Sequence, residues 1–167
     1  MLLDPKTNLN TTFQTNFLMS FDRVPVTSFT CQKAQIPGLT LGTVNSSFAT
    51  GFFTMPGENV AYSTLNLQCY MTEDFQNYLE LHNWIRGISV SDGYENREAY
   101  LAANGREVTD ATLSITSNAL KYQFDVRFES LFPTSIDTID FDVTIENPIP
   151  IVFNATFNYV RYEIIRK

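Results

Sequence analysis

Phe153, Asn154, Ala155, Thr156, Phe157, Asn158, Tyr159, Val160, Arg161 and Tyr162 form one stretch near the C-terminal end of the chain. Aromatic and apolar residues alternate with polar ones, the period of a β-strand with one face on a core. The polar alternates Asn154, Thr156 and Asn158 then make a wall for water or a neighbouring molecule. The stretch follows Leu131, Phe132, Pro133, Thr134, Ser135 and Ile136, and the same period of two recurs upstream of it. Tyr122, Phe124, Val126 and Phe128 form one face opposite Lys121, Gln123, Asp125, Arg127 and Glu129. Ile139, Phe141, Val143 and Ile145 form another opposite Thr138, Asp140, Asp142 and Thr144, until Asn147 to Pro150 breaks the run. Leu113 and Ile115 mark one more strand.

The N-terminal half repeats the pattern. Phe17, Met19 and Phe21 give a first strand, Asp22 to Pro25 a turn, and Ser28 to Gln35 a second strand ended by Ile36, Pro37 and Gly38. Leu65, Leu67 and Cys69 give a third. The period then changes to that of a helix. Thr72 suits an N-cap, with Glu73 and Asp74 in the first turn, where carboxylates favour the helix dipole. Phe75, Tyr78, Leu79, His82 and Ile85 follow at helical spacing, Leu81 and Trp84 widen the apolar face, and Gly87 supplies the stop. A shorter helix is expected over Glu95–Ala103. The fold class is mainly β: an antiparallel sandwich or barrel with one packed α-helix.

Between these strands, Leu39–Val60 reads differently. It holds Gly42, Gly51, Pro56 and Gly57, yet also Phe48, Phe52, Phe53 and Met55. Exposed apolar groups are unfavourable in water, so an apolar loop or hairpin of this length is a partner surface or a lid on its own core.

Composition narrows the function. The 167 residues include fourteen Phe, eight Tyr and one Trp. Net charge is −7 and the isoelectric point about 4.6. Such a surface does not grip nucleic acid through its phosphates, although it can let nucleic acid pass. Cys31 and Cys69 fall in expected strands and read as buried free thiols rather than a disulfide framework. No signal peptide or membrane span is visible in the sequence.

Catalytic groups are scarce. His82 is the only histidine, so a triad hydrolase would depend on it alone. Neither cysteine has metal-ligand spacing, and there is no phosphate-cradling glycine loop. Asp137, Asp140 and Asp142 can be imagined as a glycosidase or calcium cluster. A solvated strand face or the charged lining of a channel serves them better. No enzyme, metal or cofactor is expected.

The order of these segments resembles the tail tube proteins of contractile-tailed, T4-like bacteriophages, and more distantly the inner tube protein of type VI secretion systems. The resemblance is carried by Asn16–Phe21, Phe29–Ala34 running to Gly38, Met55–Gly57, the strand-to-helix passage ending at Trp84 and Ile85, Leu131–Ile136 and Phe153–Tyr159. It implies a tube domain over residues 13–167 behind an N-terminal arm of residues 1–12, with an extended loop over 41–60. It further implies hexameric rings that stack into the inner tube of a virion tail, a conduit for DNA ejection assembled in the host cytoplasm. Implied partners are other copies, a tail sheath, baseplate tube-initiator proteins, a tape measure protein in the lumen and passing DNA, with no membrane anchor. Phe48, Phe52, Phe53, Met55, Pro56 and Gly57 would make inter-subunit or inter-ring contacts, while Asp125, Glu129, Asp140 and Asp142 would face the lumen. A single ring at the baseplate–tube junction is the alternative within the family, and a β-sandwich glycan-binding module the alternative outside it.

Overall fold

The structure, a computed structural model, describes residues 15–48, 51–91, 93–116, 122–144, 146–147 and 149–166. The arm expected over residues 1–12 lies outside the described residues, as do the side chains of Phe48, Lys121 and Ile145.

The element order is β1 (Phe17–Phe21), α1 (Pro25–Thr30), β2 (Cys31–Ala34), β3 (Leu39–Phe48), β4 (Gly51–Tyr62), β5 (Leu65–Tyr70), α2 (Gln76–Ile88), α3 (Tyr94–Asn104), β6 (Thr109–Thr116), β7 (Tyr122–Ile136), β8 (Val152–Asn158) and β9 (Arg161–Arg166). The fold is mainly antiparallel β, as the alternating runs require. Seven strands pair in the order β1-β6-β7-β8-β5-β2, with β9 on β7 as a branch. This makes two leaves joined by one strand. Residues 124–129 of β7 pair with β6 and β9, and residues 132–136 pair with β8. The change falls at Ser130, whose φ of 54° bends the strand from one leaf into the other.

The inward residues are those the alternation singled out. Met19, Leu113 and Val126 line up across one leaf, and Leu67 and Ala155 across the other. Phe157 of the second leaf meets Phe21 at 5.5 Å between ring centres and lies 6.4 Å from Trp84 of α2. Trp84 is 1% exposed and donates its indole N–H to the Glu107 carbonyl at 2.8 Å. A core of this kind is what holds the two leaves and α2 together.

Five local expectations are corrected. Ser28–Thr30 is not strand. Pro25 starts α1, as its fixed φ allows, and the Ser28 hydroxyl both accepts from Phe21 N–H and donates to the Val24 carbonyl. Thr72 is not the N-cap of α2. It hydrogen-bonds Asn77, Asp74 accepts from Gln76 N–H, and the helix begins after Phe75, whose φ is 56°. Its buried face is therefore Asn77, Leu81 and Trp84, while Phe75 and Leu79 are exposed.

Gly87 is not a stop either, because α2 continues to Ile88. A Cβ at Gly87 would run into the ring of Tyr100, so the glycine lets α3 pack closely on α2. The run from Ile139 through Val143 forms no strand, and Val143 is fully exposed. Asp142 instead accepts from both the N–H and the hydroxyl of Thr144, a local turn that competes with strand pairing. The C-terminal strand also divides, at Tyr159 and Val160, so that β8 pairs with β5 and β7 while β9 pairs with β7.

Candidate assembly surfaces

Two surfaces depart from ordinary protein exterior. The first is the segment 41–60, which is a two-stranded antiparallel arm, β3 with β4, forming a sheet of its own. Val44 pairs with Met55 on one side, Ser47 pairs with Phe52 on the other, and Gly51 closes on Phe48 at the tip. Between Leu41 and Thr43 the register slips by two residues. There a Cβ on Gly57 would lie 2.7 Å from the Gly42 carbonyl oxygen, so only glycine lets the strands cross so closely.

Phe52 is 88% exposed, and Leu39, Leu41, Val44, Met55 and Val60 are exposed with it. Phe53 is half-buried and Pro56 exposed. Apolar side chains thus stand on both faces of an arm that does not fold back over the core.

The root of the arm is held by tyrosines. Tyr162 donates its hydroxyl to the Pro37 carbonyl at 3.1 Å, just before β3, and Tyr159 donates to the Ser63 carbonyl at 2.7 Å, just after β4. Ser63 N–H also bonds the Gly38 carbonyl. Tyr62 packs edge-on against both Tyr159 and Tyr162, and Phe128 of the core backs the same pair. Burial, with the neighbouring phenols adding to it, pushes the Tyr159 hydroxyl up to about 12.

The second surface is the outer face of β1, β6, β7 and β9. The register sets Leu18, Ser114, Asp125 and Ile165 in one row, and Ser20, Thr112, Arg127 and Glu163 in the next. Asp110, Glu129 and Arg161 continue it. Ser114 donates to Asp125 at 2.7 Å, Arg127 to Asp110 at 2.8 Å and Arg161 to Glu129 at 2.7 Å. The Arg127 guanidinium holds Asp110 below the usual carboxylate range, and Arg161 does the same for Glu129. Among the described residues of this face, four carboxylates (Asp110, Asp125, Glu129 and Glu163) meet two guanidinium groups, Arg127 and Arg161, an acidic balance. The leaf it belongs to ends in β1 on one side and β9 on the other, neither with a further strand among the described residues. On β9, Ile164 and Ile165 are exposed.

The four acidic residues expected to face a lumen lie on two different parts of the fold. Asp125 and Glu129 share this strand face, whereas Asp140 and Asp142 lie on the irregular segment after β7. The polar alternates of β8 are used within the subunit: Asn154 donates to Asp137 at 2.8 Å and Thr156 to Asn66 at 3.0 Å. His82 stacks on Tyr78 at the core edge, and Tyr78 meets Phe153 edge-on. Among the described residues no three His, Cys, Asp or Glu side chains gather as metal ligands, and no helix is long and apolar enough to cross a membrane. The tyrosine root and the open β9 edge were not foreseen. The repeated Tyr of Tyr159 and Tyr162 carried the signal for the former.

Among the described residues, the β-body thus keeps leaf edges without a further strand, and its apolar arm lies off the core. The chain belongs to the phage tail tube protein family, whose model matches residues 4–165. Among curated proteins no sequence match is found.

Solved structures of similar fold include the anti-feeding prophage tube-terminating cap (18% identity, TM-score 0.68, 98% of this chain and 97% of that one). Another is the sheath–tube complex of an extracellular contractile injection system in its extended state (19% identity, TM-score 0.66, 95% of this chain and 94% of that one). A third is Hcp1 of the E. coli EAEC 042 pathovar (6% identity, TM-score 0.50, 91% and 92%). At these identities the likeness is one of fold.

Proposed function

We propose that this chain is the repeating subunit of the inner tube of a contractile, phage-tail-like particle. Hexameric rings would stack into a hollow conduit for DNA or another cargo, inside a sheath and upon a baseplate. The observation that carries this reading is the β3–β4 arm: a hairpin with exposed Phe52, Val44 and Met55 that its own core leaves uncovered. Another copy of the chain would cover it. Open edges at β1 and β9 suit the same role, since closing a ring gives each edge a partner and stacking extends it.

In this reading the negative outer face of β1, β6, β7 and β9 lines the lumen, and Asp125 and Glu129 contribute to it. Like charge keeps DNA, or a tape measure protein of similar charge, from sticking. Asp140 and Asp142, on their separate segment, would meet the lumen only at its rim.

Gel filtration with negative-stain microscopy tests the proposal. Rings or tubes are expected from the wild type. The pair Phe52→Ser and Phe53→Ser should abolish polymers while preserving the far-UV circular dichroism spectrum. Polymers that persist in the double variant would refute the role of the arm.

A second reading is favoured by the tube-terminating cap and an anti-feeding prophage baseplate among the similar structures. A protein acting once per particle would give isolated rings that do not stack, and the same micrographs separate the two. A monomer that binds glycans would overturn both.

A further inference from the structure

We propose that Cys31 and Cys69 are a redox-active pair, oxidised by a peroxide to an intramolecular disulfide that ties β2 to β5. The two residues are direct cross-strand partners in the antiparallel β2–β5 register. Opposed residues in such a ladder have Cα atoms about 4.5–5.5 Å apart, inside the span a disulfide accepts. Directly opposed side chains lie on the same face of the sheet, which sets the two thiols side by side.

Their surroundings differ in a useful way. Cys69 is fully buried, whereas Cys31 is half-buried on the edge strand β2. The neighbouring Cys69 thiol holds Cys31 below the ordinary thiol range, while Cys31 and burial push Cys69 up. Cys31 is therefore the sulfur that reacts first and Cys69 the one that resolves it.

The chemistry balances. The Cys31 thiolate attacks one peroxide oxygen, the O–O bond breaks, and a sulfenic acid forms as the other oxygen leaves and takes up the thiol proton as water. The Cys69 sulfur then attacks the Cys31 sulfur, the S–S bond forms, the S–O bond breaks, and the hydroxyl departs with the Cys69 proton as a second water. Two thiols lose two electrons and two protons, which the peroxide takes up.

The placement gives the bond a consequence. β2 runs toward Pro37 and Gly38, and β5 follows directly after Ser63, so the covalent ring from Cys31 to Cys69 contains the whole β3–β4 arm. Oxidation would fix the strands on either side of the tyrosine root.

The experiment uses the full chain, purified reduced, freed of reductant and treated with hydrogen peroxide. Intact mass should fall by two hydrogen atoms, and a non-reducing peptide map should join the Cys31 and Cys69 peptides within one chain. The melting temperature should rise by roughly 5–10 °C and return on reduction. Cys31→Ser should leave Cys69 unmodified and remove the rise; Cys69→Ala should leave Cys31 to gain oxygen instead. Oxygen added to wild-type Cys31 alone, a disulfide between two chains, or two free thiols after treatment would each overturn the proposal. None of these readouts depends on whether the chain forms tubes.

Discussion

The body and the arm of this protein solve opposite problems with the same kind of strand. In the body, apolar residues turn inward and the two fully buried polar side chains, Asn77 and Thr27, are hydrogen-bonded. Asn77, fully buried, donates to the Tyr70 carbonyl and the Thr30 hydroxyl and accepts from Thr72 and Tyr78. Buried Thr27 reaches Glu80 and the Asn77 carbonyl. The arm beyond its tyrosine root is held chiefly by its own ladder, and Val44, Phe52 and Met55 are exposed on it. Stability therefore resides in the body, and the exposed Val44, Phe52 and Met55 of the arm stand where contact with something else can use them.

That contrast can be broken at several points. Trp84→Ala should be the most damaging change, at about 3–5 kcal/mol. It empties the contact with Phe157 and removes the ring under the Arg23 guanidinium, which lies 5.2 Å from it. Urea denaturation measures the loss, and a cost below 1 kcal/mol would mean that the body is not held this way.

Asn77→Ala should cost about 1–3 kcal/mol, because it strands the buried groups that Asn77 serves. The double change Tyr159→Phe and Tyr162→Phe should cost about 1 kcal/mol and leave the core spectrum unchanged. It should loosen the arm, seen as faster amide exchange in β3 and β4. The same root responds to pH. Because the folded Tyr159 phenol titrates at about 12, above an exposed tyrosine, its contribution is complete below pH 10. It is lost as the pH climbs toward 12, and thermal melts across that window should show the fall, reduced in Tyr159→Phe. Least of all in stability, Phe52→Ser with Phe53→Ser should shift unfolding by no more than about 0.5 kcal/mol. A large loss there would erase the distinction between body and arm.

The sequence made some of this legible and hid the rest for physical reasons. Strands with an unbroken period of two and a buried face, such as Phe153 to Phe157, were plain. The 41–60 segment showed its apolar, unsheltered character, and Gly57 marked a turn-prone position, but the two-residue slip opposite Gly42 follows from pairing that no single strand encodes. Ile139 to Ile145 carries the alternation, but over its described residues Asp142 closes a turn on Thr144 in place of a strand, and Phe141 meets the ring of Phe75. Thr27 and Val26 favour strands by type, yet Pro25 and the Glu80 carboxylate hold them in a helix. Acidic residues Asp125 and Asp140 look alike in sequence. Only the register separates the one on a sheet face from the one on a loop.

The bent strand β7 also defines a load path. Besides the chain's own links to β2 and β5, two phenol hydroxyls tie the arm's root to the junction of β8 and β9, and both of those strands are laced to β7 on either side of Ser130. A push received at the hairpin is thereby divided between the two leaves.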